Sequence, residues 1–120
     1  MSQKDTNSIN SGNQKEQALL VGLYPPDVTT ETADHQISEL LSLADTAGAD
    51  VEAFARQHVR EIHPATYIGR GKVAELRDLA RETSVELAIF SRDLTPVQQR
   101  NLERQLGIQV VDRTELILDI

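Results

Sequence analysis

The chain has 120 residues, 39% hydrophobic and 26% charged, a size and balance that suit one small globular domain with a single core. It has no cysteine, which excludes disulfides, thiolate zinc sites and cysteine nucleophiles, and a reducing, cytoplasmic setting is expected. Its net charge of -7 makes it a poor general binder of polyanions, so any nucleic-acid contact has to come from a local basic patch.

Residues 1–16 are polar, with Ile9 the one apolar residue after the start Met, and are expected to form a flexible tail. They hold no apolar stretch of the kind a secretory signal needs, and no run anywhere approaches the roughly 20 apolar residues of a membrane span. The domain is expected to occupy 17–120. Ala18-Leu19-Leu20-Val21-Gly22-Leu23 is a short continuous apolar run, the pattern of a strand buried on both faces, and Pro25-Pro26-Asp27 breaks it. Ile37, Leu40, Leu41 and Ala44 then recur at helical spacing, and Gly48 suits the helix end. Val51, Ala53 and Ala55 alternate with Glu52, Phe54 and Arg56, which predicts a less buried, edge strand. A loop is read from His58 to Gly71, followed by a helix on Val73, Leu76, Leu79 and Ala80.

Leu87-Ala88-Ile89-Phe90 is a second buried-strand run. Thr95-Pro96-Val97-Gln98 is a strong helix start, with Thr95 as cap, Pro96 in the first turn and Gln98 completing a capping box. Leu102 and Leu106 continue that helix and Gly107 ends it; Ile108, Val110 and Val111 form the last strand. Asp112 and Glu115 repeat the capping logic before Leu116, Ile117 and Ile120. Strict alternation of strand and helix predicts an α/β fold: a four-stranded, mainly parallel sheet in the order 2-1-3-4, with helices on both faces and right-handed crossovers.

Chemistry concentrates in one stretch. Arg56, Arg60, Arg70 and Lys72 fall between positions 56 and 72 with Glu61 as the single acid, so the local balance is basic in an acidic chain. Gly69-Arg70-Gly71-Lys72 precedes a helix, where glycines admit a phosphate close to the backbone and a helix start offers unpaired N–H groups. A P-loop needs G-x-x-x-x-G-K-[ST]; here the spacing is Gly-x-Gly-Lys, and Val73 stands where the magnesium-binding hydroxyl would be. The candidate RNA- or anion-binding residues are therefore Arg56, Arg60, Gly69, Arg70, Gly71 and Lys72. The bland alternatives are a tight turn that positions the helix and a solvated loop. His35, His58 and His63 have no metal-site spacing. No nucleophile elbow is present, and Glu31 and Asp34 read as solvated helix carboxylates. The residues describe a binding module without catalytic groups.

Three segments carry a family resemblance. Tyr67-Ile68-Gly69-Arg70-Gly71-Lys72-Val73-Ala74-Glu75-Leu76, Asp93-Leu94-Thr95-Pro96-Val97-Gln98-Gln99-Arg100-Asn101-Leu102-Glu103 and Val111-Asp112-Arg113-Thr114-Glu115-Leu116-Ile117-Leu118-Asp119-Ile120 resemble, in order and spacing, signatures of the N-terminal domain of HflX GTPases. The resemblance covers roughly residues 17–120. It implies a cytoplasmic protein that associates with the large ribosomal subunit and its RNA and helps to split stalled or stressed ribosomes. It also implies that GTP and Mg2+ belong to a separate G domain. That G domain follows a helical segment in the family, so the last helix here is expected to be cut short. By position, Gly69, Gly71 and Lys72 belong to the family's glycine-lysine loop. Asn101 and Arg113 belong to the other two signatures, where packing or capping is the role read for both. Ser91-Arg92 departs from the acidic residues that many members carry there. Two other readings stand beside this one: a free-standing α/β module that binds a nucleotide or anion at the glycine-lysine loop, and an inactive fragment.

Overall fold

The structure, a computed structural model, describes residues 15–118. The expected tail therefore lies outside the described residues apart from Lys15 and Glu16, and Glu16 opens the first strand. The elements alternate as β1 (Glu16–Tyr24), α1 (Thr30–Thr46), β2 (Ala49–His58), α2 (Arg70–Thr83), β3 (Leu87–Phe90), α3 (Pro96–Leu106), β4 (Gln109–Val111) and α4 (Arg113–Leu118).

The sheet is parallel throughout, in the expected order β2-β1-β3-β4. β1 and β3 are central, and their apolar runs are buried on both faces because helices cover both sides. Successive residues of β1 feed two cores. Leu19, Val21 and Leu23 pack with Val73 and Leu76 of α2 and Leu102 and Leu106 of α3. Ala18 and Leu20 pack with Ile37 and Leu40 of α1 and Leu116 of α4. A Cβ at Gly22 would come within 2.6 Å of the Ile37 side chain, so α1 can approach β1 this closely only over a glycine.

The two sheet edges differ. β4 is three residues long, and its Val110 N–H donates to Glu103 while its carbonyl accepts from Gln99, both on α3. Those side chains close the short edge. β2 is ten residues long and, among the described residues, pairs only with β1. It carries a bulge where Ala18 and Leu19 face Val51 and Ala53.

The expected caps are present. Thr95 and Gln98 form a reciprocal capping box on α3, and Gly107 ends it in the left-handed region at φ 75°. Asp112 and Glu115 cap each other's backbone N–H at α4. Asp112 also accepts from Leu94, and Asp93 accepts from the Thr114 N–H and hydroxyl, which ties α4 to the loop after β3. Two readings are revised. α2 begins at Arg70, so Arg70, Gly71 and Lys72 belong to its first turn and not to the preceding loop. Leu41 keeps its helical spacing in α1 but is 42% exposed.

Candidate nucleic-acid interface

The C-terminal ends of the strands carry the connections where α/β sheets bind ligands, and the strand order reverses between β1 and β3. Three connections meet at that end: residues 25–29 after β1, 59–69 after β2 and 91–95 after β3.

The connection after β2 is tightly built. His63 and Tyr67 exchange both backbone hydrogen bonds, at 3.1 and 2.8 Å. Within that closure the Ile68 N–H donates to the Thr66 carbonyl at 2.7 Å, a three-residue turn centred on Tyr67. Tyr67 has φ 69°, a strained value for an aromatic residue. Two features hold it there. The Tyr67 ring, 4% exposed, and the buried Ile68 side chain plug the α2–α3 core. From α3, Gln98 donates to the His63 carbonyl at 2.9 Å and Asn101 donates to the Ala65 carbonyl at 3.0 Å. Asn101 is thus an anchor of this loop. Arg113 likewise has a structural partner, Glu39 of α1, at 3.1 Å.

The loop delivers the chain into α2 with an unusual start. Gly69 is the N-cap residue and has no side chain to accept from the first turn. The first intrahelical bond of this turn is Val73 N–H to the Gly69 carbonyl, so the N–H groups of Arg70, Gly71 and Lys72 have no partner among the described residues. The first turn has no acid either; it carries Arg70 and Lys72, both exposed and without an ion-pair partner among the described residues. Two cations sit at the positive end of a helix dipole, the arrangement a bound anion would compensate. A Cβ at Gly69 would meet only the His63 imidazole, at 3.6 Å, which puts that ring beside the turn. Arg60, exposed, precedes the closed loop, and Arg100, exposed, neighbours its anchor Asn101.

Arg56 stands apart from these residues. It lies on β2 with Phe54, on the face covered by α1, where its guanidinium sits 4.9 Å from the Phe54 ring and its Nε donates to the Tyr24 hydroxyl at 3.2 Å. Tyr24 in turn donates to Asp34 and stacks on His58. The basic stretch is contiguous in sequence but the sheet divides it: Arg56 faces α1, whereas Gly69, Arg70, Gly71 and Lys72 start the helix packed on the other side. Ser91 and Arg92, the departure noted above, bind within the chain. The Ser91 Oγ accepts from Leu23 at 2.8 Å, and Arg92 pairs with Asp27 at 3.0 Å and reaches Gln36. Burial pushes the Tyr67 phenol above its ordinary pKa; the Arg92 guanidinium nearby opposes this, yet no group among the described residues meets the Tyr67 oxygen at hydrogen-bonding geometry.

Val73, where a P-loop has its hydroxyl, is buried in the core. Among the described residues no three His, Asp or Glu side chains come together as a metal site.

The sequence profile of a family described as GTP-binding GTPase N-terminal matches residues 34–120. The chain is 41% identical over 105 residues to the GTPase HflX of Magnetococcus marinus and 35% identical over 105 residues to the GTPase HflX of Escherichia coli, with 88% of this chain covered in both cases. It spans 24% of the length of each of these curated relatives. Among solved structures, a GTP-binding protein from Sulfolobus solfataricus in complex with GDP aligns with 87% of this chain and 29% of its own, at a TM-score of 0.61 and 21% identity, a likeness of fold. The match over most of the chain, together with the three signature segments in the places where α2, α3 and α4 begin, means that this chain belongs to the family of GTPase N-terminal domains found in HflX proteins.

Proposed function

We propose that this domain is a ribosomal-RNA-binding module of an HflX-like GTPase, which brings its protein to the large ribosomal subunit and serves the splitting of stalled or stressed ribosomes in the cytoplasm. The observation that carries the reading is the start of α2, with three N–H groups that have no partner among the described residues, no capping side chain, no acid in the first turn, and Arg70 and Lys72 exposed. That arrangement suits a backbone phosphate. Gly69 and Gly71 leave the phosphate room, Arg60 supplies further charge, and the strained, anchored loop fixes the direction in which the turn points. Arg56, on the α1 face, contributes at most peripheral charge to this contact.

The test is equilibrium binding of the chain to purified large ribosomal subunits across a salt series. Affinity falls as salt rises, with a log–log slope set by the number of phosphates neutralised. Replacing both cations, Arg70→Glu with Lys72→Glu, lowers affinity by roughly tenfold or more and flattens the slope by about 2. Unchanged affinity and slope in the double variant would reduce the turn to a solvated helix start.

In this reading GTP hydrolysis belongs to the G domain of the whole protein and not to this domain. Phosphate release from GTP above a protein-free control, by the chain freed of other GTPases, contradicts that division. The second reading, a site for a free nucleotide or small anion, uses the same unpaired N–H groups. It gains ground if ATP or GTP binds the isolated chain and displaces it from the subunits.

A further inference from the structure

The α2 turn leaves the α1 face of the sheet unused, and that face gathers the rings that the core does not take. Of the two Phe and two Tyr in the chain, Phe90 and Tyr67 are buried, whereas Phe54 and Tyr24 stand on the α1 face beside β2. With Arg56 and His58 they form one continuous row. The Arg56 guanidinium lies 4.9 Å from the Phe54 ring, and its Nε donates to the Tyr24 hydroxyl at 3.2 Å. The Tyr24 ring stacks on His58, with centroids 4.8 Å apart and planes inclined by 22°. Phe54, Arg56 and His58 alternate along β2, so the row runs about 13 Å by strand rise. His58 is the outer member of the stack. Tyr24 is half-buried and packs on the α1 core, whereas His58 is exposed and its ring touches no partner but Tyr24 among the described residues.

We propose that this row is a base-stacking surface, on which an unstacked base of single-stranded RNA lies against the outer face of His58 while Arg56 holds a neighbouring phosphate. It rests on the reading of the domain as an RNA-binding module, and adds a second contact on the opposite face of the sheet from the α2 turn. The chemistry of the row identifies the occupant. A ring backed by one neighbour and otherwise exposed offers its free face to a base, and every base has a face to stack. An arginine set among rings supplies the charge that the adjoining phosphate requires. Arg56 forms no ion pair among the described residues, and the guanidinium nitrogens beyond its Nε have no partner there. The acid that reaches the row, Asp34, accepts from the Tyr24 hydroxyl and is held at the far side of that ring from the strand edge. Arg60, exposed two residues after His58, extends the charge along the same chain direction.

Titration of the chain into a single-stranded uridine hexamer carrying one 2-aminopurine, whose emission changes when it stacks, tests this. The same hexamer with that base removed serves as the comparison. The unaltered chain changes the emission and binds the intact hexamer more tightly than the abasic one by roughly tenfold. His58→Ala weakens binding of the intact hexamer by a similar factor and abolishes the preference for it, whereas His58→Phe keeps a ring and retains both. Circular dichroism confirms that each variant is folded. Arg70→Glu with Lys72→Glu keeps the emission change and the preference, because those cations lie on the other face. If that double variant binds large subunits unchanged, the α2 turn fails and this contact stands. A chain that does not bind the hexamer, equal affinity for both hexamers, or a folded His58→Ala variant that binds as the unaltered chain does overturns the proposal. So does a His58→Phe variant as weak as His58→Ala.

Discussion

α2 and α3 pack side by side on one face of the same sheet, yet their first turns are built in opposite ways. α3 is sealed: Thr95 accepts from Gln98, Gln98 returns a bond to the Thr95 N–H, and Pro96 removes a donor that would otherwise be unpaired. α2 is open: its cap residue is Gly69, its first-turn N–H groups lack partners among the described residues, and it begins with cations. A fold that needed only helix stability would seal both. Under the proposed function, the difference separates a turn that holds structure from one left available to a ligand, and the two are linked because Gln98 and Asn101 of the sealed helix hold the loop that leads into the open one.

Breaking the sealed start has the largest effect. Gln98→Ala removes a buried side chain that completes the capping box and also donates to the His63 carbonyl, so it should cost about 2–3 kcal/mol in unfolding free energy by denaturant titration. A loss below about 0.5 kcal/mol would mean that the loop supports itself. The open start predicts the reverse. Arg70→Glu with Lys72→Glu places acids at the positive end of the helix dipole and should raise stability by about 0.5–1 kcal/mol while the proposed affinity for large ribosomal subunits falls. Destabilisation of that variant would show that the cations serve the fold.

The smallest effect is a dependence on alkaline pH. Burial raises the Tyr67 phenol above its ordinary 10.0, and the folded state therefore holds that proton more tightly than the unfolded chain. The associated stability is complete below pH 10 and declines as pH rises through the higher folded value. Tyr67→Phe removes this alkaline decline without disturbing stability at neutral pH, because the phenol oxygen makes no hydrogen bond to a described residue that the variant would lose. An identical alkaline decline in both proteins would place its origin in other groups.

Much of the fold is legible in the residue pattern. Unbroken apolar runs mark the central strands β1 and β3, alternation marks the edge strand β2, and the Thr95–Gln98 and Asp112–Glu115 caps set the starts of α3 and α4. Other features are set in three dimensions. The start of α2 is obscured because glycines signal a turn, whereas here they occupy a cap and a first-turn position whose bonds are left open. The positive φ of Tyr67 has no signal, since such values point to glycine, and the tyrosine is kept there by burial and by α3 side chains distant in sequence. The basic stretch is the clearest case. Counting charges along the chain groups Arg56 with Lys72, but strand alternation turns Arg56 towards α1 and the crossover carries α2 to the other face. Asn101 accepts locally from Arg104 on the same helix, but the partner of its amide N–H, the Ala65 carbonyl, becomes visible only when α3 lies against the loop.

The central claim is that the open start of α2 is kept for an anion, and the variant Gly69→Asp tests it most directly. Gly69 has extended backbone, φ -71° and ψ 167°, and a side chain there meets only the His63 imidazole at ordinary contact distance, so aspartate fits without strain. Its carboxylate would accept from the first turn and occupy the place of the phosphate. The measurement is the affinity of this variant for large ribosomal subunits beside that of the unaltered chain, with melting temperatures recorded for both. The predicted result is a melting temperature equal to or above that of the unaltered chain and an affinity lower by roughly tenfold or more. An unchanged affinity in a variant at least as stable would contradict the claim.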